Sequence, residues 1–361
     1  MKDLLLKSNL VTIAFVLLFS CSEDNQNPEQ MWKEHNPKKL KCGRKFDQAT
    51  FLDEVGINIM SSSKDKVNFI VYIDQPINPL ILTINGNSIG VKNLKIGKLN
   101  SKDTTLLGAF ANPLLSPYDK NIAIGLVAFS TVIGKDNFGE NVVKIFQQLC
   151  RYNLETDECS IIPLYVTKEE YEVITDNGLV HWANQSTPND DYILIKNHKR
   201  LHLQSGKLLE GYTNKTNDAN LKLVAVSPDE SKFISLDPNN KNGDFYINDR
   251  KHTDKYIHHS FKNNYINKIN WSDDSKTFSI NQLGNDMNDF NFYTITDGNS
   301  IMKTNTLDLL TLHCSLYSNG TPFFYTDSSY IVTLYPNLSR RGELYEVNQN
   351  GEIIRQLTKI F

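Results

Sequence analysis

The chain has 361 residues, 40% of them hydrophobic and 22% charged, with 38 basic against 41 acidic side chains and a formal charge of −3. These are the proportions of a folded globular protein. They exclude a mainly disordered chain, a multispanning membrane protein and a strongly basic nucleic-acid binder, so no nucleic-acid partner is expected.

The N-terminus reads MKDLLLKSNLVTIAFVLLFSC. Lys2 and Lys7 precede an apolar run from Leu10 to Phe19, well short of the ~20 residues a membrane-spanning helix needs. Basic residues ahead of a short apolar run make a secretory signal. The run closes in Leu18-Phe19-Ser20-Cys21, and the polar SEDNQNPEQ follows. These residues resemble the lipobox of bacterial lipoproteins. Leu18, Ser20 and Cys21 match it, while Phe19 departs from the small or β-branched residue usual there. The resemblance implies a signal peptide over 1–20, lipidation of Cys21, and a location in the cell envelope, facing the periplasm or the surface. Its first partner is then the membrane itself, held through acyl chains that contribute about 0.8 kcal/mol per buried CH₂.

Residues 21–45 read as a flexible tether, polar and with almost no apolar periodicity. Trp32 is its one apolar anchor and a candidate to dock on the body.

The body, 46–361, repeats. A hydrophobic stretch, a polar turn and an apolar strand recur, most clearly in KLVAVSPDESKFISL from Lys222 and NKINWSDDSKTFSI from Asn267. Weaker copies start at Ser61, Leu114, Ser186 and Tyr325. The markers Ser62, Ser116, Thr187, Ser227, Ser272 and Thr326 are separated by about 40 to about 70 residues, against about 40–50 for a four-stranded propeller blade. Ser, Asp and Asn favour such turns because they bond their own backbone two residues on, and Pro presets φ. The spacing predicts an all-β propeller of six four-stranded blades, with seven as the alternative if the longest step hides an extra blade. Two helical segments are also expected, one around Leu106–Leu115 and one from Lys168 to a C-cap at Gly178.

The turns Ser227-Pro228-Asp229 and Ser272-Asp273-Asp274, with the ending LYEVNQNGEIIRQLT from Leu344, resemble the β-propeller repeats of TolB-like periplasmic proteins and their WD-repeat-like relatives. The Gly that often follows the Asp in that family is missing: Glu230 and Ser275 stand there. The resemblance implies a propeller over most of the body.

With Cys21 on lipid, Cys42, Cys150, Cys159 and Cys314 remain, an even number in an exported chain. Cys150 and Cys159 flank RYNLETDE, a strand–turn–strand pattern, and are a candidate cross-strand disulfide. Cys42 and Cys314 lie at the two ends of the body and could staple a closed ring.

No motif points to a cofactor, a metal or a catalytic centre. His198 and His202 have zinc-ligand spacing only on a helix, and their segment reads as strands around a turn. Asp237–Asp244 has Lys241 where a calcium loop needs an oxygen ligand. There is no G-x-S-x-G, G-x-G-x-x-G or P-loop. The expectation is a lipid-anchored envelope propeller that binds a protein or peptide partner. The alternatives are a glycan-cleaving envelope enzyme, which needs facing carboxylates at the channel mouth, and a purely structural lipoprotein.

Overall fold

The computed structural model describes residues 30–32, 57–73, 78–94, 104–176, 178–211, 221–237, 245–249, 256–259, 265–283, 289–295, 300–308, 322–334 and 342–358. Cys21 with its lipobox, Cys42 and Cys314 lie outside the described residues, as does most of the Asp237–Asp244 loop.

The described residues form six antiparallel sheets, each a run of consecutive strands, arranged as a β-propeller. Blade 1 holds β1 (Gln30–Trp32), β2 (Ile57–Ser62), β3 (Asn68–Ile73), β4 (Asn78–Asn85) and β5 (Ser88–Asn93), in the order β1-β5-β4-β3-β2. Blade 2 holds β6 (Thr104–Leu115), β7 (Ile122–Lys135), β8 (Asn141–Asn153) and β9 (Glu158–Ile161). Blade 3 holds β10 (Leu179–Trp182), β11 (Tyr192–Ile195), β12 (Arg200–His202) and β13 (Lys207–Leu209). Blade 4 holds β14 (Lys222–Val226), β15 (Lys232–Leu236), β16 (Phe245–Asp249) and β17 (Tyr256–His259). Blade 5 holds β18 (Tyr265–Trp271), β19 (Thr277–Leu283), β20 (Asp289–Ile295) and β21 (Ile301–Asp308). Blade 6 holds β22 (Phe323–Thr326), β23 (Ser329–Leu334), β24 (Glu343–Asn348) and β25 (Ile353–Gln356).

The core is divided among the seams. Six apolar clusters are buried, and each joins one pair of neighbouring blades. A blade is therefore covered on both faces, and its middle strands need not alternate: β23, SYIVTL, is buried at every position. The ring closes by side-chain packing. Ile331, Leu344 and Leu357 of the last blade pack with Ile57, Phe69 and Leu82 of the first. Arg355 Nη1 donates to the Gly86 carbonyl across the same seam (2.5 Å), and Thr333 Oγ1 donates to that of Ile57.

The helix expected around Leu106–Leu115 is a strand, β6. Phe110 is fully buried between blades 1 and 2, and an inner strand is required there, so pairing with β7 overrides the local helical spacing. The expected helix after Lys168 does form. It is α1 (Lys168–Thr175), opened by a capping box between Thr167 and Glu170. Gly178 closes it, donating to the Ile174 carbonyl (3.1 Å) where an added Cβ would lie 1.9 Å from the Val173 carbonyl oxygen. The longest repeat step is filled by α1 and by the long strands β7 and β8. Among the described residues no helix is long and apolar enough to cross a membrane.

Within the tether, Gln30–Trp32 pairs as β1 with β5, adding an outer strand to blade 1.

Candidate functional site

Every inner strand runs toward the turn that the repeat motif marks, and these turns meet on one face of the ring. Ser227 shows how they work. Its Oγ donates to Asp229 Oδ1 (2.7 Å) and accepts the Lys232 amide (2.9 Å). Ser272 repeats this with Asp274 (2.6 Å) and the Thr277 amide (3.0 Å). Ser63 repeats it with Asp65 (2.5 Å) and the Asn68 amide (2.9 Å). The hydroxyl that organises the first copy thus belongs to Ser63 rather than to the marker Ser62, and in blade 3 Ser186 rather than Thr187 accepts the amide of the next strand, that of Tyr192 (3.0 Å). A two-residue Ser-Ser or Ser-Thr step hides which hydroxyl turns inward.

The fourth position of these turns is left-handed: φ is 54° at Lys66, 56° at Glu230 and 59° at Ser275. Glycine adopts this conformation without strain, while another residue gives up roughly 1–2 kcal/mol. The side chains present here make contacts that Gly could not. Glu230 Oε1 accepts the Asn184 amide (2.5 Å) and meets His181 Nε2 (3.2 Å) on blade 3. Ser275 Oγ accepts the Asp229 amide (3.0 Å), joining blades 5 and 4. Lys66 Nζ reaches Asp273 Oδ2 (2.6 Å), joining blade 1 to blade 5 across the mouth. Asn184 Nδ2 donates to the Pro228 carbonyl. Ser227, Pro228, Asp229, Ser272, Asp273 and Asp274 therefore occupy two adjacent turns tied to each other and to the ring.

Burial alone would raise the Asp229 carboxyl. Hydrogen bonds from Ser227, Ser231 and Ser275 outweigh it and hold the group well below the usual carboxylate range. Asp65 and Asp274 are lowered in the same way, by Ser63 and Ser272 and by backbone amides. A carboxylate with a lowered folded pKa stabilises above its unfolded pKa, near 4, and that contribution is lost as pH falls through the folded value. Asp229→Asn is expected to cost about 1–2 kcal/mol at pH 7. Denaturant unfolding should show the gap to the parent closing as pH drops below about 4; a constant gap would show that the charge is immaterial.

The inner strands of all six blades line a central channel of about 550 Å³. Trp182, Trp271, Phe323, Phe324, Leu114 and Val226 form apolar parts of its wall. Lys64, Lys66 and Asp273 stand at the turn-face mouth. Asp273 is the one carboxylate of the lining among the described residues. Trp271 is 9% exposed, and its indole N–H is buried with no hydrogen-bond partner among the described residues. Buried donors of this kind are rare.

Cys150 and Cys159 stand elsewhere, on blade 2. In the β8–β9 register Cys150 faces Ile161, and Cys159 faces Tyr152. The two cysteines share a face at diagonal positions, as free thiols, Cys150 buried and Cys159 half-buried. A hydrogen bond between them raises the Cys150 thiol and lowers that of Cys159. His198 and His202 do not converge. His198 sits in the β11–β12 turn within 3.4 Å of Ser235 Oγ, and His202 stacks on Tyr192 and meets Ser205 Oγ (2.8 Å). Among the described residues no group of three or more His, Cys, Asp or Glu could hold a metal ion.

Sequence reasoning missed the residues that bind the blades to one another. Asp191 is fully buried and takes Arg151, the Tyr118 hydroxyl (2.8 Å) and the Trp182 indole (3.4 Å). Only Asp in an otherwise apolar run, DYILI, signalled it.

No protein family matches this sequence, and no curated protein matches it. Several solved structures are similar at low identity. TolB from Acinetobacter baumannii is 15% identical with a TM-score of 0.40, the match covering 77% of this chain and 60% of TolB. A functionally unknown protein from Desulfotomaculum acetoxidans DSM 771 is 13% identical with a TM-score of 0.39, covering 85% and 86% of the two chains. A luciferin-regenerating enzyme is 12% identical with a TM-score of 0.39, covering 64% and 71%.

Proposed function

We propose that this chain is a lipid-anchored cell-envelope propeller that binds a protein or peptide partner at the turn-face mouth of its channel. The observation that carries the reading is the channel wall. It is mixed apolar and polar, drawn from all six blades, and carries Lys64, Lys66 and Asp273 at its mouth. Propellers present loops around a central opening on a rigid scaffold, which suits recognition. Cleavage of a glycan would need two facing carboxylates, and the lining offers Asp273 alone among the described residues.

The anchor is the lipidated Cys21, and palmitate labelling of the intact chain should vanish in Cys21→Ala. In an oxidising envelope Cys150 and Cys159 pair as a disulfide. Alkylation of protein purified from the envelope fraction without reductant should leave both unmodified, and labelling of both would refute the pairing.

For the binding site, a photo-crosslinking amino acid at position 64, on the mouth, is expected to capture one envelope protein from cells. The same probe at position 207, on the outer edge, is expected to capture none. Trp271→Phe reshapes the apolar wall and keeps an aromatic ring. It is expected to weaken that capture several-fold while costing about 1 kcal/mol or less in stability. Equal capture at both positions, or capture unaffected by Trp271→Phe, would place the partner elsewhere.

A further inference from the structure

We infer that the β7–β8 hairpin is a membrane-contacting arm resting on the bilayer that holds Cys21, an inference that builds on the lipid-anchor reading above.

Thr131 pairs with Thr104, the first residue of β6. Beyond Thr131 the described residues of the sheet form a two-stranded ribbon, Val132 pairing with Val143 and Lys135 with Asn141. Five residues from Val132 to Asp136 give it a reach of about 15 Å. Five of the eleven large apolar side chains exposed among the described residues lie on this ribbon, Val132, Ile133, Phe138, Val142 and Val143, and a sixth, Ile145, sits at its base opposite Ser130. Phe138, at the tip, is 91% exposed. So concentrated an apolar surface marks an interaction site.

Two independent directions choose the lipid surface as its occupant. β7 starts at the Ser116 turn, so the arm projects from the face opposite the repeat turns. β3 leaves the turn face, β4 returns and β5 leaves again. β1 runs antiparallel to β5, with Gln30 opposite Val91 and Trp32 opposite Ile89. The chain therefore enters β1 from that same opposite face, on the blade next to the arm. From Cys21 to Gln30 is nine residues, a reach of at most about 30 Å. The lipid and the arm tip can thus meet one plane, which leaves the turn face and its channel mouth pointing away from the membrane.

The tip chemistry suits a shallow seat. Asp136 Oδ1 accepts the Phe138 amide (2.8 Å) and the Glu140 amide (2.9 Å), and the Gly139 amide donates to the Asp136 carbonyl (3.1 Å). The Phe138, Gly139 and Glu140 amides are thus bonded before the turn leaves water, which lowers the cost of entry. Lys135 and Lys144 can extend their stems along the ribbon and keep their ammonium groups among the headgroups.

The test uses residues 22–361, which retain every described strand and lack Cys21. This chain is expected to float with vesicles of phosphatidylethanolamine and phosphatidylglycerol. Ile133→Ser/Phe138→Ser is expected to lower that partition about tenfold or more, at an unchanged melting midpoint. A parent that stays with the soluble fraction, or a variant that floats equally well, overturns the inference. A parent that dimerises without vesicles and dissociates on the double substitution also overturns it, because the arm then seats on a second copy. With Cys21 absent from the test chain, failure here leaves the palmitate result standing, and loss of palmitate labelling removes the anchor without altering flotation.

Discussion

Arg355→Ala is expected to lower stability by about 3–5 kcal/mol, the cost of leaving a buried charge without its partner. Arg355 Nε donates to Glu346 Oε2 (2.7 Å), and both side chains are 8% exposed. Glu346 Oε1 takes the Ser329 hydroxyl (2.8 Å). The guanidinium also reaches the Gly86 carbonyl and lies 6.0 Å over the Tyr325 ring. The contact with Gly86 belongs to the seam between the first and last blades, which no exchanged strand among the described residues reinforces. Equilibrium unfolding in urea measures the loss. Arg355→Met/Glu346→Leu supplies the control, because apolar groups of similar volume remove both charges together and recover much of the stability. If the single substitution cost under about 1 kcal/mol, the pair would be behaving as a surface salt bridge.

Asp191→Ala is the second large effect, about 3 kcal/mol or more. It removes a fully buried acceptor from the seam between blades 2 and 3 and strands the Tyr118 hydroxyl and the Trp182 N–H. Arg151 remains 28% exposed and is partly solvated, so its own loss is smaller. Burial, then the hydrogen bond to Asp191 and its charge, together push the Tyr118 hydroxyl up to about 12. Asp191→Asn should cost less, because it keeps an acceptor oxygen. Urea unfolding of the two variants side by side distinguishes lost charge from lost hydrogen bonds, and equal costs would assign the effect to charge. Trp182 lines the channel, so a loosened Asp191 site should also blunt crosslinking from position 64.

Particular residues show what was legible beforehand. Ser227-Pro228-Asp229 and Ser272-Asp273-Asp274 announced tight turns because their hydrogen bonds are local, made within five residues. The fall of these turns at near-regular intervals then gave repeated blades. The capping box of α1 was as local, and that helix was anticipated. The strand β6 was not, because its state depends on β7 and on the neighbouring blade rather than on its own spacing.

The sequence by itself determined the all-β repeat and the positions of its turns, since each of these rests on neighbours close along the chain. The tertiary structure decided which residues join one blade to the next. Lys66 meets Asp273, Glu230 meets His181, Arg151 meets Asp191, and Trp271 lines a channel built from all six inner strands. The residues in these contacts are 40 or more positions apart in the chain. No periodicity encodes such meetings, because closing the ring, and not local propensity, brings their side chains within reach.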